Sequence, residues 1–320
     1  MRVIIIHNRI HSDSSPDETD VLNQLDLVMT SLIQLGHKVE VMDIGEEIYQ
    51  DIQKISKKNP DLVFNLVESV FDHNELLYLV PALLKAFHIP YTGASVEALF
   101  QTTNKAMAKK QMRRSGIPTP EWFDIDEYSM LKMNQKYILK PLREDGSVDL
   151  DEEAIFLPGD PLLTERILAL DPSSFFIEKY VDGKEFNISL LTQSGRPEVL
   201  PAAEMIFHDY PPDKERIIGY KAKWDPDSFE YQHTLRKFHI YEKSNELITK
   251  MHNIALQCWE VFDLKGYARV DFRVDLNNNP YVLEINANPC ISPDSGFIAA
   301  AREAGYGPED VIEKLLNDVN

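Results

Sequence analysis

The chain has 320 residues, of which 43% are hydrophobic and 10% are aromatic. That length accommodates two or three domains, and this apolar content supports packed cores and excludes a disordered acidic chain. The 52 acidic and 33 basic residues give a net charge of −19. Because the electrostatic field of a strongly negative protein repels nucleic acid and anionic lipid, we expect neither as a binding partner.

Cysteine usage and apolar run lengths bear on the cellular compartment. The two cysteines, Cys258 and Cys290, lie far apart, which offers no disulfide framework and no Cys-x-x-Cys metal pair. The first apolar run, at residues 3–6, lacks the apolar core of a signal peptide. No apolar stretch approaches the ~20 residues that span a bilayer. The sequence therefore predicts a cytoplasmic protein without membrane contact.

Residues 1–96 alternate strand and helix patterns and are predicted to form an N-terminal α/β domain. Short apolar runs indicate strands, and apolar residues three or four apart indicate helices. The predicted elements are strand 2–6, helix 21–33, strand 38–42, strand 62–66 and helix 75–87. This order favours a doubly wound parallel sheet with helices on both faces.

The remainder is predicted to form a mixed α+β central domain at 97–181 and a C-terminal domain at 182–320. An Asp182-Gly183 turn separates two of its strands, and the asparagines at 277–279 form a polar turn. The predicted helices are 106–114, 162–170, 242–262, 295–303 and 308–316. The predicted strands are 137–139, 175–180, 184–191, 267–274 and 281–285.

The two strands that flank the polar turn carry the residues most indicative of function. Arg269 and Asp271 are two positions apart on one strand, as are Glu284 and Asn286 on the next, so each pair shares a face. If the hairpin unites the two faces, carboxylate and amide oxygens converge in a set that suits magnesium carrying nucleotide phosphates. Taken alone, the pattern also fits an edge hairpin with solvated charges, or one ion pair from Arg269.

Further motifs, read together with this hairpin, resemble the ATP-grasp superfamily and, within it, the D-alanine–D-alanine ligases and related carboxylate–amine ligases. The resemblance runs in order from about residue 60 to the C-terminus. The segments that carry it are 90–93 (PYTG), 104–105 (NK), 138–141 (ILKP), 178–179 (EK), 183–186 (GKEF), 268–271 (ARVD) and 284–289 (EINANP). The resemblance implies that an N-terminal domain is followed by a two-subdomain ATP-grasp fold with ATP between the subdomains.

The resemblance also implies which residues bind ATP. Lys105 and Lys140 would hold the α- and β-phosphates. Glu178 would read the adenine together with the backbone of Lys179, Tyr180 and Val181. Glu185 would bind the ribose, and Leu283 would pack under the base.

Metal, catalytic and substrate positions follow from the same resemblance. Three residues would hold two Mg²⁺ ions, with Mn²⁺ as an alternative; they are Asp271, Glu284 and Asn286. Arg269 would neutralise the acyl phosphate and the tetrahedral intermediate, and Lys223 would lie near the γ-phosphate. The residues expected to contact substrate are Ser295, Gly296, Cys290 and Glu75, of which Ser295 also fits a helix N-cap.

Three stretches depart from the pattern of the D-alanine–D-alanine ligases. Residues 7–18 replace an early glycine-rich turn, and could bind a different amine or acid or form a solvated loop. The lid at 144–149 (EDGSVD) has acids in place of glycines, which is unfavourable beside a triphosphate unless magnesium or Arg143 compensates. Cys290 replaces a glycine, and we expect a packed thiol rather than a nucleophile.

The sequence thus predicts an ATP-dependent carboxylate–amine ligase that forms an amide through an acyl phosphate. Its expected partners are small amino-acid or carboxylate substrates, and assembly as a homodimer stays open. The altered loops favour substrates other than D-alanine. One alternative is an ATP-binding regulatory or degenerate module without turnover, and another is a phosphotransferase on the same fold.

Overall fold

We describe the fold from a computed structural model, in which the described residues are 1–11, 14–71, 73–143, 150–239 and 245–319. The predicted lid at 144–149 lies outside these ranges, as do two residues of the 7–18 stretch. Among the described helices, none combines the length and the apolar composition needed to cross a membrane.

The N-terminal residues form a three-stranded parallel sheet in the order β2-β1-β3. Alternate residues of β1 point to opposite faces, so that Val3 and Ile5 pack with α2 while Ile4 and Ile6 pack with α3 and α4. The elements are β1 (Arg2–Asn8), α1 (Pro16–Thr19), α2 (Val21–Gln34), β2 (Lys38–Ile44), α3 (Ile48–Lys58), β3 (Leu62–Leu66) and α4 (Leu79–Ala86). The predicted doubly wound arrangement is confirmed.

Two details of this region differ from the predictions. The helix expected at 75–87 is a 3-10 turn at Asn74–Leu76 followed by α4, which begins at Leu79. Pro81 explains the late start, because proline lacks an N–H and is tolerated only in the first turn of a helix. Helix α3 was not predicted, although its buried Ile52 and Ile55 have helical spacing.

The central residues form a four-stranded antiparallel sheet in the order β4-β7-β5-β6. Its core contains Phe123, Tyr137 and Ile177 from the strands and Ile167 from α7. The elements are α5 (Val96–Thr103), α6 (Lys105–Arg114), β4 (Trp122–Asp124), β5 (Tyr137–Pro141), β6 (Ile155–Phe156), α7 (Pro161–Leu168) and β7 (Phe175–Lys179).

The C-terminal residues form a six-stranded antiparallel sheet, with β11-β10-β8-β12-β13 in order and β9 paired to β8. Its strands are β8 (Gly183–Gln193), β9 (Arg196–Val199), β10 (Ala202–Phe207), β11 (Thr234–His239), β12 (Tyr267–Asp275) and β13 (Pro280–Asn286). Its helices are α8 (Tyr220–Trp224), α9 (Phe229–His233), α10 (Glu246–Val261), α11 (Gly296–Glu303) and α12 (Pro308–Leu316).

The segment between β7 and β8 joins two sheets and is not a hairpin turn. Strand β7 belongs to the four-stranded sheet and β8 to the six-stranded sheet, so residues 180–182 cross from one to the other. Gly183 has a φ of 142°, and a Cβ there would lie 2.0 Å from the carbonyl oxygen of Val274. Only glycine permits this close approach of two backbones.

Packing links the three regions. Residues of α5 and α6, such as Leu99 and Met112, share a core with Phe186 and Val270 of the six-stranded sheet. Helix α12 packs against α2, and α11 contributes to the same core, which also contains β1. The domain boundaries at 96 and 181 stay predictions, and the space between the sheets is where the candidate site lies.

Candidate active site

A cavity of about 970 Å³ is lined by residues of all three regions, for example Glu68, Lys140 and Asp271. All of the predicted site residues line it except Lys179 and Glu75. Lys179 is exposed to solvent, and Glu75 pairs instead with His73 at 3.5 Å. The functional roles of these residues stay predictions, and the geometry below describes what each side chain contacts.

The closing hairpin brings its four polar residues onto one face. Arg269 is paired with Asn286 across β12 and β13, and Asp271 is paired with Glu284. The guanidinium of Arg269 donates two hydrogen bonds of 2.7 Å to the Asp271 carboxylate, one to each oxygen. Amide groups of Asn187 and Asn286 donate to the same carboxylate at 2.8 and 3.3 Å. These side chains therefore face the cavity as one connected network.

Positive charge is concentrated around Glu284 despite the acidity of the whole chain. The ammonium of Lys105 lies 3.6 Å from the Glu284 carboxylate. Burial opposes the ionisation of Glu284, but Lys105, Lys223, Lys140 and Arg269 outweigh it and lower the pKa of its carboxyl to about 2. Burial, followed by the charge of Arg269, lowers the pKa of Lys223. Such a cluster of cations is suited to a polyanionic ligand.

Lys109, which the sequence analysis did not identify, contacts the cation cluster through Glu178. Lys109 is fully buried, with an exposed fraction of 0%, and forms an ion pair with the carboxylate of Glu178, which is 1% exposed. The other oxygen of Glu178 accepts a 2.7 Å hydrogen bond from Lys140. Lys109 also donates to the carbonyl of Leu283 at 3.1 Å and to Thr119 at 2.9 Å. Glu178 thus contacts two lysines, one through each oxygen, and the remaining lone pairs of its carboxylate stay available to a further donor.

Arg273 forms hydrogen bonds with the segment at residues 180–182, which crosses between the two sheets. Its guanidinium donates to the carbonyl of Val181 at 3.0 Å, to the hydroxyl of Tyr180 at 2.9 Å and to Glu185 at 3.1 Å. A further bond of 2.8 Å reaches the carbonyl of Arg216. Burial raises the pKa of Glu185, and the charge of Arg273 opposes this shift. Three of the residues predicted to surround the base and ribose are therefore positioned by one guanidinium.

The metal donors on the hairpin fit an ion that is bound together with a nucleotide. Asp271, Glu284 and Asn286 offer two carboxylates and one amide. Over the described ranges, no three histidine, cysteine or acidic side chains come together as a metal site of their own. Mg²⁺ is typically held by one or two carboxylates, with water and substrate phosphates completing its shell. The donor set therefore suits Mg²⁺ as a partner of ATP, in competition with Arg269 for Asp271.

One end of the cavity is lined by the segment that leads into α11. Ser295 caps this helix, because its hydroxyl accepts a 3.2 Å hydrogen bond from the N–H of Ile298. The thiol of Cys290 lies 3.0 Å from a carboxylate oxygen of Asp20 and 3.1 Å from the hydroxyl of Ser292. Burial, followed by the charge of Asp20, raises the pKa of this thiol. A raised pKa favours the protonated thiol, in line with the expectation that Cys290 is a packed thiol rather than a nucleophile.

Acidic residues of the N-terminal region line this same end. Glu18, Asp20 and Glu68 face the cavity, and Glu68 accepts a 2.8 Å hydrogen bond from the Gln24 amide. Of the 7–18 stretch, Asn8 and Glu18 line the cavity and the other described residues do not, so both interpretations of this loop stay open. Carboxylates in this position suit a ligand with an ammonium group.

Sequence reasoning missed three cationic residues. Arg273 continues the alternation of Arg269 and Asp271 on β12, which was a usable signal. Lys109 lies four residues after Lys105, on the same side of α6. Arg236 lies on β11, a strand that the sequence did not indicate, and its guanidinium lines the cavity next to Gly296.

Comparisons with known proteins agree with this geometry. Residues 164–317 match the family model for the D-ala D-ala ligase C-terminus. The chain is 29% identical to a D-alanine–D-alanine ligase of Carboxydothermus hydrogenoformans, over 91% of this chain and 90% of that protein. It is 29% identical to a D-alanine–D-alanine ligase of Aquifex aeolicus, over 90% of this chain and 92% of that protein. The crystal structure of a D-alanine–D-alanine ligase from Bacillus anthracis complexed with ATP covers 99% of this chain, with 96% of its own length covered, a TM-score of 0.74 and 20% identity.

The fold is the one seen in solved D-alanine–D-alanine ligases. Together, the match to the C-terminal family model and the relatives that span most of the chain support a D-alanine–D-alanine ligase-like ATP-grasp protein. The resemblance read from the sequence motifs is confirmed.

Proposed function

We propose that this protein is an ATP-dependent ligase that joins a carboxylate to an amine through an acyl phosphate. The observation that carries the proposal is the set of cations around Glu284. Lys105, Lys140 and Lys223 all act on the carboxylate of Glu284. Glu284 is paired with Asp271 across the β12-β13 hairpin, and all of these side chains line one cavity. The chain has a net charge of −19, so a local concentration of positive charge in this cavity suits the binding of a triphosphate.

ATP would lie between the four-stranded and six-stranded sheets. Lys105 and Lys140 would bind the α- and β-phosphates as point charges, and Lys223 would approach the γ-phosphate. The segment 178–181, Glu185 and Leu283 would enclose the nucleoside. Asp271, Glu284 and Asn286 would hold Mg²⁺, or Mn²⁺ in its place, which supplies charge neutralisation to the transferring phosphoryl group.

The reaction requires electrostatic stabilisation more than a protein nucleophile. A carboxylate oxygen of the first substrate attacks the γ-phosphorus, the bond to the bridging oxygen breaks, and ADP leaves. The neutral amine of the second substrate then attacks the acyl carbon, and collapse of the tetrahedral intermediate expels phosphate. Arg269 and Lys223 provide positive charge for the oxygens that become more negative in both steps.

Two groups of residues at the α11 end of the cavity suit amino acids as both substrates. The carboxylates of Glu18, Asp20 and Glu68 would bind the ammonium of the substrate that is phosphorylated. Ser295 and Gly296, at the start of α11, would bind the carboxylate of the substrate that supplies the amine. The curated relatives are named for D-alanine, which is therefore the first acid to test.

A regulatory ATP-binding module without turnover is the remaining alternative. The presence of Arg269, Asp271, Glu284 and Asn286 together disfavours it, since a module that only binds ATP has no need for a residue that stabilises an acyl phosphate. The ligase relatives disfavour it as well.

Phosphate release from ATP in the presence of amino-acid pairs tests the proposal, with product masses measured in parallel. The expected result is phosphate release that depends on both amino acids and yields an equal amount of amide. Nucleotide binding with no phosphate release for any pair would support the regulatory module. A stable phosphorylated product without an amide would support a phosphotransferase.

A further inference from the structure

Arg236 lies at the end of the cavity predicted to receive the amine substrate. Its Nη1 is 3.5 Å from the carbonyl oxygen of Asp294, and its Nη2 is 3.5 Å from the position that a Cβ on Gly296 would occupy. Strand β11 sets this position, because Arg236 pairs with Met205 of β10, which also lines the cavity. The guanidinium is therefore adjacent to the Ser295-Gly296 pair.

The charge of Arg236 is poorly neutralised by its surroundings. In the part of the chain that the structure describes, its hydrogen bond is the long contact with the Asp294 carbonyl, and it forms no ion pair. Burial lowers the pKa of Arg236, and the positive charge of Arg269 lowers it further, while Asp294 raises it. A guanidinium in these surroundings favours an anionic ligand.

Arg269 differs from Arg236 because an acid already pairs with it. Asp271 accepts two hydrogen bonds from Arg269, as described above. An amino acid with a neutral side chain brings one carboxylate, which the Ser295-Gly296 position would take. Arg236 would then have no carboxylate of its own, whereas a second carboxylate on the same substrate would supply one.

We propose that Arg236 binds the side-chain carboxylate of the amine substrate, so that this substrate is an acidic amino acid. The inference rests on the proposed ligase function and adds the chemical class of one substrate. Arg236 is a specificity-determining residue in this account, because its partner is a group remote from the reacting amine.

Isosteric pairs of amine substrates test the inference. The assay contains ATP, Mg²⁺ and D-alanine as the acid, with aspartate against asparagine and glutamate against glutamine, each as both enantiomers. If D-alanine yields no amide, each amino acid of the panel replaces it in turn as the acid. The readouts are kcat/KM from phosphate release and the mass of the amide.

The variants are Arg236→Gln, which removes the charge, and Arg236→Lys, which keeps it. Arg196→Gln is the matched control, because Arg196 is exposed on β9 and is not among the residues that line the cavity. We expect the wild type to prefer the acidic member of a pair by about 10-fold or more. Arg236→Gln should reduce that preference by about 10- to 100-fold, Arg236→Lys should reduce it less, and Arg196→Gln should leave it unchanged.

Two results would overturn the inference while leaving the ligase function intact. One is a wild-type preference for asparagine or glutamine. The other is an equal loss of both members of a pair in Arg236→Gln, which would place the arginine on the α-carboxylate. Absence of amide from every combination, with ATP binding retained, would instead overturn the proposed function and this inference with it.

Discussion

Lys109 and Glu178 form an ion pair that is sealed from solvent beneath the candidate ATP site. Glu178 lies on the four-stranded sheet and also holds Lys140, while Lys109 also holds the backbone of Leu283 on the six-stranded sheet. The pair therefore connects the two surfaces between which ATP is proposed to lie. Lys109 contacts no ligand in this account, but it helps to position Lys140, proposed to bind phosphate, and Leu283, proposed to pack under the base.

Replacement of Lys109 by methionine should weaken nucleotide binding far more than amino-acid binding. We expect the KM for ATP to rise about 10- to 100-fold, since Lys140 and Leu283 lose their common support. Stability should fall by about 3–5 kcal/mol, because the variant leaves a buried carboxylate with one partner fewer. Lys110→Met, one position along α6 and exposed, is the matched control. Equal increases in the KM for ATP and for amino acids would contradict the positioning role.

The metal assignment predicts that Glu284→Gln lowers kcat by about 100-fold or more. The substitution keeps the size of the side chain and removes the charge that four cations surround. Denaturant unfolding should find the variant folded, and Glu260→Gln, an exposed change on α10, should retain full activity. Full turnover by Glu284→Gln would remove this residue from the metal site.

Addition of a single methyl group at Gly183, in the junction between the sheets, should lower the free energy of unfolding. We expect Gly183→Ala to cost about 2–4 kcal/mol, because the new Cβ meets the Val274 carbonyl in a backbone region that alanine avoids. Gly195→Ala is the control, since Gly195 also has a positive φ, 75°, but no atom within 4 Å of the added Cβ. It should cost about 1 kcal/mol. Equal losses of unfolding free energy would show that backbone strain alone accounts for Gly183.

His252 should make stability depend on pH in the weakly acidic range. Burial lowers the pKa of His252 on α10 below its ordinary value of 6.5. The unfolded chain therefore binds a proton more readily, and stability that is present above pH 6.5 is lost as the pH falls toward the lower folded pKa. Unfolding of His252→Gln at pH 7.5 and 5.5 should show a smaller loss than the wild type. The exposed His208→Gln should show the wild-type loss, and an unchanged loss in His252→Gln would contradict the prediction.

Local pattern was sufficient to predict the polar face of the closing hairpin. The two-residue periodicity of a strand placed Arg269 with Asp271 and Glu284 with Asn286, and the observed register joins the two pairs. The strand at Leu62–Leu66 was predicted with its observed bounds, since it is a short apolar run buried throughout. Features that depend on backbone periodicity are thus accessible from the sequence.

Arg273 and α3 had local signals that were overlooked, whereas the other missed features depend on contacts between distant segments. Lys109 is an ordinary helix residue in the sequence, and its role arises only when α6 meets Glu178 and Leu283, which are 69 and 174 positions away. Strand β11 has no clear alternation and was not predicted, so Arg236 could not be placed at the cavity. The Asp182-Gly183 turn has the composition of a hairpin, but its flanking strands pair with other partners. Tertiary pairing decides such cases, and local composition does not.

Transfer of oxygen from acid to phosphate tests the acyl-phosphate mechanism most directly. The acid substrate of an active amino-acid pair is labelled with ¹⁸O in its carboxylate, and the released phosphate is analysed by mass spectrometry. The account predicts one ¹⁸O in the phosphate for each amide formed, because the carboxylate oxygen that attacks the γ-phosphorus leaves with it. Amide formation with unlabelled phosphate would contradict the proposed mechanism.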